Sequence, residues 1–590
     1  MSEILTGNTS EKWEQIKTHP FYKKDVEDLV ALGERLLEKP CETLLRSDYL
    51  RFVRDGNRSV YESIYFERRR RISCFSILTR LFGEKYLDPL CDALWLVMDE
   101  STWVVPAHMG DMFSSPEKRE GFLDLFATET GALLAETYHI LSDVLPTDVS
   151  ERILTLVRKR VVEPYLENYY WWMDGHNNWS AVCTSQAALC ILYVGTHEQF
   201  RRAEPHINRT MNIFLSSYGE DGCCLEGLSY WAYGFGTFLN YADAVKNYTK
   251  SHRGVSPYEA RLSPEKAEGA HNASVGVIDY FAREDVKRCC AFASNMRLSG
   301  DYAVAFSDGT VNYRYPRALF YIINKEYPGL IEYPDKSLSS SSISAGSHNF
   351  IRYLLWSDPD ADYGTELKRG TVFYKSGQWF IRNEEKYSLA AKGGNNDEPH
   401  NHNDVGSFMI TAPSGILLCD TGSGEYTRQY FEPGHRYSFL VNSSRGHSLP
   451  IINGYLQSEN TPDARLLENT ETTFAVGIER SYKDPTLLSA VRRFECLESE
   501  IKISDTLEFS DSPKSLTERF VSFEKPELFD GCVRICENAE MRFDPKKFDA
   551  FLSSEEYIDH AHRTQTLYFI DLCAKDLEKN EQLSVSILMK

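Results

Sequence analysis

The sequence predicts a two-part α+β fold, with a helical N-terminal half followed by an antiparallel β half. The chain has 590 residues, more than one hydrophobic core usually organises, so at least two domains are expected. Apolar residues recur at helical spacing up to about Tyr333 and with a period of two in the later part of the chain. A serine-rich segment at 337–346 separates the two patterns and has the composition of a linker. We therefore expect a helical domain at 1–336 and a β domain at 347–590.

The helical half contains apolar segments separated by short Gly, Pro or Asp punctuation. Residues 93–98 and 187–192 are two such segments. No internal repeat of fixed period is found, which favours a toroid of diverged helical hairpins over a regular solenoid.

The β half has strand and turn signals. Residues 370–375 and 379–382 flank Ser376 and Gly377, a hairpin signal, and residues 500–509 alternate polar with apolar side chains. These patterns predict antiparallel strands in stacked sheets.

Charge and composition exclude several classes of partner. The chain has 65 basic and 86 acidic residues and a formal charge of -21, which argues against nucleic acid or an anionic membrane as the main partner. An anionic substrate would need a locally basic cleft. Residues 1–8 lack a signal-peptide pattern and no apolar stretch reaches the roughly 20 residues of a membrane span, so we expect a soluble, cytoplasmic protein. The 14 cysteines include no Cys-x-x-Cys spacing, which predicts reduced, mostly buried thiols.

A cluster of metal-ligand types stands out in the β half. His400 and His402 are one residue apart at the edge of a predicted strand, and Asp420 and His447 adjoin two further apolar runs. If these strand ends meet, they offer the ligands of a zinc site and one imidazole left over for chemistry. The alternative is a polar loop that caps a strand.

Aromatic and polar residues mark three candidate segments of the helical half. Asn178 either caps a helix or faces a groove beside Trp179. Tyr230 and Tyr233 share one helical face, a pattern more typical of a core than of an active site, although glycines and acidic residues adjoin them. The segment 100–108 places Trp103 and His108 in a predicted loop, where binding groups tend to lie. The run 68–71 consists of four arginines, and it is either a solvated helix face or a binding surface for carboxylate or sulfate.

Five motifs in this order resemble the heparinase II/III family of polysaccharide lyases, over roughly residues 50 to 520. They are Asn-Asn-Trp at 177–179, Asp-Gly, Glu-Gly and two tyrosines at 221–233, His-Asn-His-Asn-Asp at 400–404, Asp420 with Gly422, and Arg-Gly-His-Ser at 445–448. The resemblance implies an incomplete (α/α) toroid followed by an antiparallel β-sandwich. It also implies β-elimination at a uronic acid, which leaves a 4,5-unsaturated uronate end.

The resemblance assigns roles to individual residues. Asn178 matches the residue that binds the uronate carboxylate, and Tyr230 matches the tyrosine that protonates the leaving O4 and, for some epimers, abstracts the C5 proton. His400 matches a histidine that acts as base from the opposite face or assists neutralisation. The family's zinc ligands match His402, Asp420 and His447, which implies one mainly structural Zn²⁺ per chain.

Further residues are expected to contact the substrate. They are His176, Trp179, Trp103, His108, Tyr233, Glu226, Arg436 and Tyr437. Tyr233 lies one helical turn from Tyr230 and is the alternative catalytic tyrosine. The expected partner is an anionic oligosaccharide or polysaccharide, of glycosaminoglycan or alginate-like type, and a homodimer is left open.

Two other functions remain open at this point. A glycoside hydrolase on a helical toroid would need a carboxylate pair drawn from Asp174, Asp221 and Glu226. A zinc-stabilised carbohydrate-binding protein would keep the metal site without turnover. Ultraviolet absorbance of an unsaturated product distinguishes a lyase from both.

Overall fold

A computed structural model of the protein describes residues 4–109, 121–251, 277–333, 348–361, 364–432 and 434–590. Within these ranges the N-terminal part is helical and the C-terminal part is rich in antiparallel sheet, as the sequence predicts. The predicted linker at 337–346 lies outside the described residues.

The helical part is built around one buried helix. The longer helices of the described residues are Ser10–Thr18, Lys23–Glu38, Ser59–Phe82, Leu87–Met98, Leu125–Leu141, Thr147–Val157, Asn178–Val194, His197–Ser216, Gly236–Ser251, Glu284–Asn295, Arg317–Glu326 and His348–Trp356. Asn178–Val194 packs against Leu125–Leu141, His197–Ser216 and Gly236–Ser251. Because neighbours surround it, nearly all of its side chains are buried, which explains why its sequence is apolar on every face.

The helical part extends beyond the boundary predicted at residue 347. Helix His348–Trp356 packs against Arg317–Glu326. Arg352 also forms a buried ion pair with Glu136, with 2.7 Å between Nη2 and Oε2. The first strand of the sheet-rich part is therefore Gly370–Tyr374, later in the chain than the sequence analysis placed the start of the β domain.

Three antiparallel sheets form the C-terminal part. The five-stranded sheet contains, in spatial order, Gly370–Tyr374, Trp379–Asn383, Ser388–Lys392, Phe408–Ala412 and Gly415–Leu418. The eight-stranded sheet contains, in spatial order, Glu527–Phe529, Cys532–Cys536, Ala539–Arg542, Asn580–Met589, Glu500–Phe509, Leu487–Cys496, Thr473–Gly477 and Arg465–Asn469. The four-stranded sheet contains, in spatial order, Phe548–Ile558, Thr564–Ala574, Leu516–Ser522 and Pro450–Ile452. The predicted hairpin around Ser376 is confirmed, with Tyr374 paired to Trp379. The predicted strand at 500–509 is also confirmed.

The five-stranded sheet joins the two parts of the molecule. Trp379 and Ile381 on one of its faces belong to the core of the helical part. Phe380, between them on the other face, packs in the core that the three sheets share. A sheet covered on both faces has apolar residues at successive positions, and this is the pattern of Ser388–Lys392, in which every residue is buried.

All 14 cysteines are free thiols, as the sequence predicts. Among the described helices, none combines the length and the apolar character needed to cross a membrane.

The ion pair between Arg352 and Glu136 is predicted to be a major contributor to stability. Arg352→Leu leaves the buried Glu136 carboxylate without its counter-ion, which typically costs about 3–5 kcal/mol. Urea denaturation should show a clearly lowered midpoint. The matched control is Arg369→Leu, because Arg369 pairs with Glu385 on the surface, where both side chains are more than half exposed. Equal midpoints for the two variants would contradict this account.

Candidate active site

A cleft of about 1250 Å³ lies between the helical part and the sheet-rich part. Asn178 and Tyr230 line it from the helical part, and His400 and Tyr426 line it from the sheet-rich part. Clefts between domains are common ligand sites. The three residues that the resemblance named as catalytic therefore face one space.

Asn178 is the first residue of its helix and not the cap. The cap is Asn177, whose Oδ1 accepts a hydrogen bond from the backbone N–H of Trp179 at 3.1 Å. The Asn178 backbone N–H donates to Glu226 Oε1 at 3.2 Å. A Cβ at Gly234 would lie 3.2 Å from the Asn178 Cβ, so a glycine there permits this close helix packing. The Asn178 side chain is thus free of a capping role and lies at the cleft wall.

Tyr230 is held between two residues of the sheet-rich part. Its hydroxyl oxygen lies 2.6 Å from that of Tyr426, and its ring stacks on His400 with 4.2 Å between centroids. A π-helical turn, Trp231–Phe235, follows it directly, and such turns are frequent at functional sites. Burial, reinforced by the negative charge of Asp308, raises the pKa of Tyr230 well above its usual range. The phenol therefore stays protonated at neutral pH and is suited to donate a proton.

Asp308 is the fully buried anion beneath this pair. Its carboxylate accepts hydrogen bonds from His400 Nδ1 at 2.8 Å, from His402 Nε2 at 3.1 Å and from the Tyr430 hydroxyl. Arg436 Nη2 lies 3.0 Å from its Oδ2. Burial alone would raise the pKa of Asp308, but Arg436 and the two histidines hold this pKa well below its usual range. Asp308 is therefore ionised and can only accept.

His400 is oriented by Asp308. Because Asp308 only accepts, the His400 proton sits on Nδ1 and the Nε2 lone pair remains available. The backbone of His400 has a φ of 58°, a left-handed conformation that is uncommon outside glycine. The Asp308 N–H fixes this conformation by donating to the His400 carbonyl at 3.1 Å. Asp308 thus holds His400 in one orientation at the cleft.

The predicted metal ligands meet below His400. His402, Asp404 and His447 each offer a ligand atom, and these atoms lie within 4.8 Å of one another. Asp420 Oδ2 lies 3.3 Å from His447 Nδ1. Imidazole nitrogens and carboxylate oxygens are ligands that zinc accepts, so these residues fit a metal ion. Asp404 belongs to the group of three and Asp420 does not, although the sequence analysis selected Asp420 and not Asp404.

Comparison with known proteins bears on this arrangement. No protein-family model and no curated protein matches the chain. Among solved structures, a heparinase III is similar, with a TM-score of 0.56 and 12% identity over 99% of this chain and 92% of that chain. The chain has the fold of heparinase III. Heparan sulfate lyase HepC from Pedobacter heparinus, as a mutant, has a TM-score of 0.53 and 11% identity over 98% of this chain and 90% of that chain. The chondroitin AC lyase of Streptomyces coelicolor A3, in complex with chondroitin sulphate, has a TM-score of 0.51 and 10% identity over 98% of this chain and 82% of that chain.

Within this heparinase III-like fold, only some of the predicted substrate contacts lie at the cleft. Trp179, His108 and Tyr233 line it. Trp103 does not, because it is 2% exposed and its indole N–H donates to the Val97 carbonyl at 3.0 Å. That prediction is wrong: the apolar neighbours of Trp103 make it a core residue.

Four other predicted contacts, including Glu226, are not among the residues that line the cleft. His176 is exposed in the turn before the helix at Asn178. Arg436 faces Asp308, and the Tyr437 hydroxyl donates to Asn401 Oδ1 at 2.8 Å. Arg436 and Tyr437 therefore support the loop that carries His400, instead of facing the cleft as the sequence analysis expected.

The four arginines at 68–71 are mostly structural. Arg68 and Arg69 are buried and bind Glu100 at 2.9 and 2.6 Å. Arg71 donates to the Leu36 carbonyl at 2.8 Å, and Arg70 lines the cleft. This segment is neither a solvated helix face nor an arginine-rich surface for sulfate. The helix that contains it is packed against other elements on both sides.

The carboxylates considered for a hydrolase do not converge. Asp174 pairs with Arg209 at the surface, and Asp221 accepts from the Ser376 hydroxyl at 2.8 Å. Glu226 is near the site, with its Oε2 3.9 Å from His400 Nε2. Because these three carboxylates lie apart, they do not form the carboxylate pair that the hydrolase interpretation requires.

Three residues important to the site were missed by the sequence analysis. Asp308 and Tyr426 contact His400 and Tyr230, and Glu129 lines the cleft. Asp308 precedes a glycine, which indicates only a turn. No spacing rule relates these positions to the motifs, because they become neighbours only when the two parts pack together.

The cleft is not strongly basic. Its charged lining comprises three arginines, four carboxylates and four histidines. Burial raises the pKa of Glu129 to about 7, while a hydrogen bond from Tyr233 lowers it in part. Near neutral pH a small change in pH therefore alters the charge of the cleft.

This charge change predicts a pH dependence of anion binding. Glu129 is ionised at pH 8 and largely neutral at pH 6, so affinity for an anionic oligosaccharide should rise as pH falls through about 7. Glu129→Gln should tighten binding at pH 8 by roughly 3- to 10-fold, about 1 kcal/mol of relieved repulsion, and change it little at pH 6. Calorimetric titration at both pH values measures this. Glu385→Gln, at an exposed position, is the control and should have no effect, and equal gains at pH 6 and pH 8 for Glu129→Gln would contradict the assignment.

Proposed function

We propose that this chain is a polysaccharide lyase that cleaves uronic-acid-containing glycans by β-elimination and leaves a 4,5-unsaturated uronate end. The proposal includes an incomplete (α/α) toroid and an antiparallel β-sandwich, with one structural zinc held by the buried histidines and carboxylates. The observation that carries it is the contact of Tyr230 with His400 at 4.2 Å in a cleft also lined by Asn178. The substrate is an anionic oligosaccharide or polysaccharide.

Neutralisation of the uronate carboxylate is the first requirement of the reaction. The C5 proton is weakly acidic while the adjacent carboxylate is negative, so a hydrogen-bond donor must offset that charge. Asn178 supplies a side-chain amide at the cleft wall, and its position is fixed by the bond from its own N–H to Glu226. No arginine is needed for this step.

Proton transfer is divided between the stacked rings. His400 accepts the C5 proton through Nε2, since Asp308 holds the proton on Nδ1. Tyr230 donates its phenolic proton to O4 as the C4–O4 bond breaks, and Tyr426 donates in turn to the phenolate oxygen that forms. The two rings share one wall, and a centroid distance of 4.2 Å leaves no room for a sugar between them. Both groups therefore reach the substrate from the same side, which differs from the opposite-face base that the resemblance implies for His400.

Loss of the Tyr230 hydroxyl tests the proposal most directly. Tyr230→Phe should cut the rate of ultraviolet absorbance increase by roughly 10²–10⁴, as for a lost general acid, while substrate affinity and melting temperature stay near the wild-type values. Tyr233→Phe is the matched control, one turn away on the same cleft wall. If Tyr233→Phe abolishes turnover and Tyr230→Phe does not, the proton donor is Tyr233. If neither change slows the reaction, the elimination mechanism is wrong.

A further inference from the structure

Four buried side chains below His400 each have one polar atom that lacks a hydrogen-bond partner among the described residues. These atoms are His402 Nδ1, Asp404 Oδ2, Asp420 Oδ2 and His447 Nδ1. All four residues are 0–1% exposed. A buried polar atom without a partner is costly, and native structures rarely leave one unsatisfied. Four such atoms in one region indicate a shared partner.

The other polar atom of each of these side chains is already occupied. His402 Nε2 contacts Asp308 Oδ1 at 3.1 Å, His447 Nε2 contacts the Val441 carbonyl at 2.8 Å, Asp404 Oδ1 accepts from Lys392 Nζ at 2.8 Å, and Asp420 Oδ1 accepts from the Gly422 N–H at 3.1 Å. Partners of this kind orient metal ligands in proteins and are as important as the ligands themselves. The four unsatisfied atoms are therefore fixed in direction.

The proton positions decide what the shared partner can be. Asp308 and the Val441 carbonyl accept from the Nε2 atoms of the two imidazoles, so Nδ1 of each ring is the atom left for a further partner. Imidazole nitrogens and carboxylate oxygens are the donor types that bind a divalent metal such as zinc. A cation can satisfy all of them.

The spacing of two of these atoms fits a metal. Asp420 Oδ2 and His447 Nδ1 are 3.3 Å apart, yet they lack hydrogen-bond geometry toward each other. Ligands at about 2.0 Å from a tetrahedral zinc are separated by about 3.3 Å. One ligand atom from each of His402, Asp404 and His447 lies within 4.8 Å of the other two, and Asp420 joins this group through its contact with His447.

We propose that Asp404 is the fourth protein ligand of the metal and closes a tetrahedral zinc site with His402, Asp420 and His447. The resemblance implied three protein ligands, His402, Asp420 and His447. With Asp404 added, the site has four protein ligands, as structural zinc sites do, and no open position for substrate. Lys392 is a positioning residue, since it holds Oδ1 and leaves Oδ2 for the metal. This inference does not rest on lyase activity.

A pair of variants separates the ligand role of Asp404 from its ion pair with Lys392. Asp404→Asn keeps the shape and an oxygen for Lys392 but removes the charge that favours the metal. Competition with a chromophoric zinc chelator should show affinity reduced by more than about 100-fold, beyond the 10–100-fold typical of changes around ligands. Lys392→Met removes the ion pair and keeps the ligand, so it should retain about one zinc per chain even where its melting temperature falls. Wild-type affinity in Asp404→Asn, or no zinc in the wild-type protein, would overturn the proposal.

Cobalt substitution tests closure of the site in the wild-type chain, without any variant. A closed site should give the intense visible bands of tetrahedral Co²⁺, and added azide should leave them unchanged. Bands that shift with azide would reveal an exchangeable position and overturn the fourth-ligand assignment. Neither readout involves glycan turnover, so failure here and failure of the lyase proposal are distinguishable.

Discussion

The buried carboxylate of Asp308 is the interaction on which the arrangement of the site depends. It comes from the helical part, and the groups that satisfy it, His400, His402, Tyr430 and Arg436, all come from the sheet-rich part. A buried charge without partners is strongly unfavourable, so the two parts must meet in the register that supplies these donors. The same register places the Nε2 lone pair of His400 at the cleft and fixes the tautomer of His402.

This network links the cleft to the predicted metal ligands. His400 and His402 share one carboxylate, so any change that moves the His402 ring also changes the support of His400. The five-stranded sheet provides the rigid frame for this link, because both of its faces are buried, one against the helices and the other against the remaining sheets. The loop at 400–404 leaves that frame between two of its strands, and its position is therefore determined by packing on both sides.

The sequence predicted the helical and sheet-rich parts of the fold, and the three residues selected by the resemblance, Asn178, Tyr230 and His400, line one cleft. The period change identified the helical and β parts, and the strand at Glu500–Phe509 follows the predicted alternation except at Asp505, a polar residue at a buried position. Trp103 was misassigned because the local sequence around a tryptophan in a short loop does not show whether its side chain faces a cleft or the core. Asp308 and Tyr426 could not be found, because hydrogen bonds across 92 and 196 positions of the chain leave no local pattern. The arginines at 68–71 show the same limit, since their partner Glu100 lies on a different element.

The central claim is that this cleft breaks a glycosidic bond by elimination, without adding water. Mass spectrometry of the products from a defined uronate-containing oligosaccharide measures this directly, because elimination divides the substrate and adds nothing to it. The account predicts that the masses of the two products sum to the mass of the substrate, with the unsaturated end on the fragment that carries the uronate. Products whose masses exceed that sum by one water would identify hydrolysis and contradict the account.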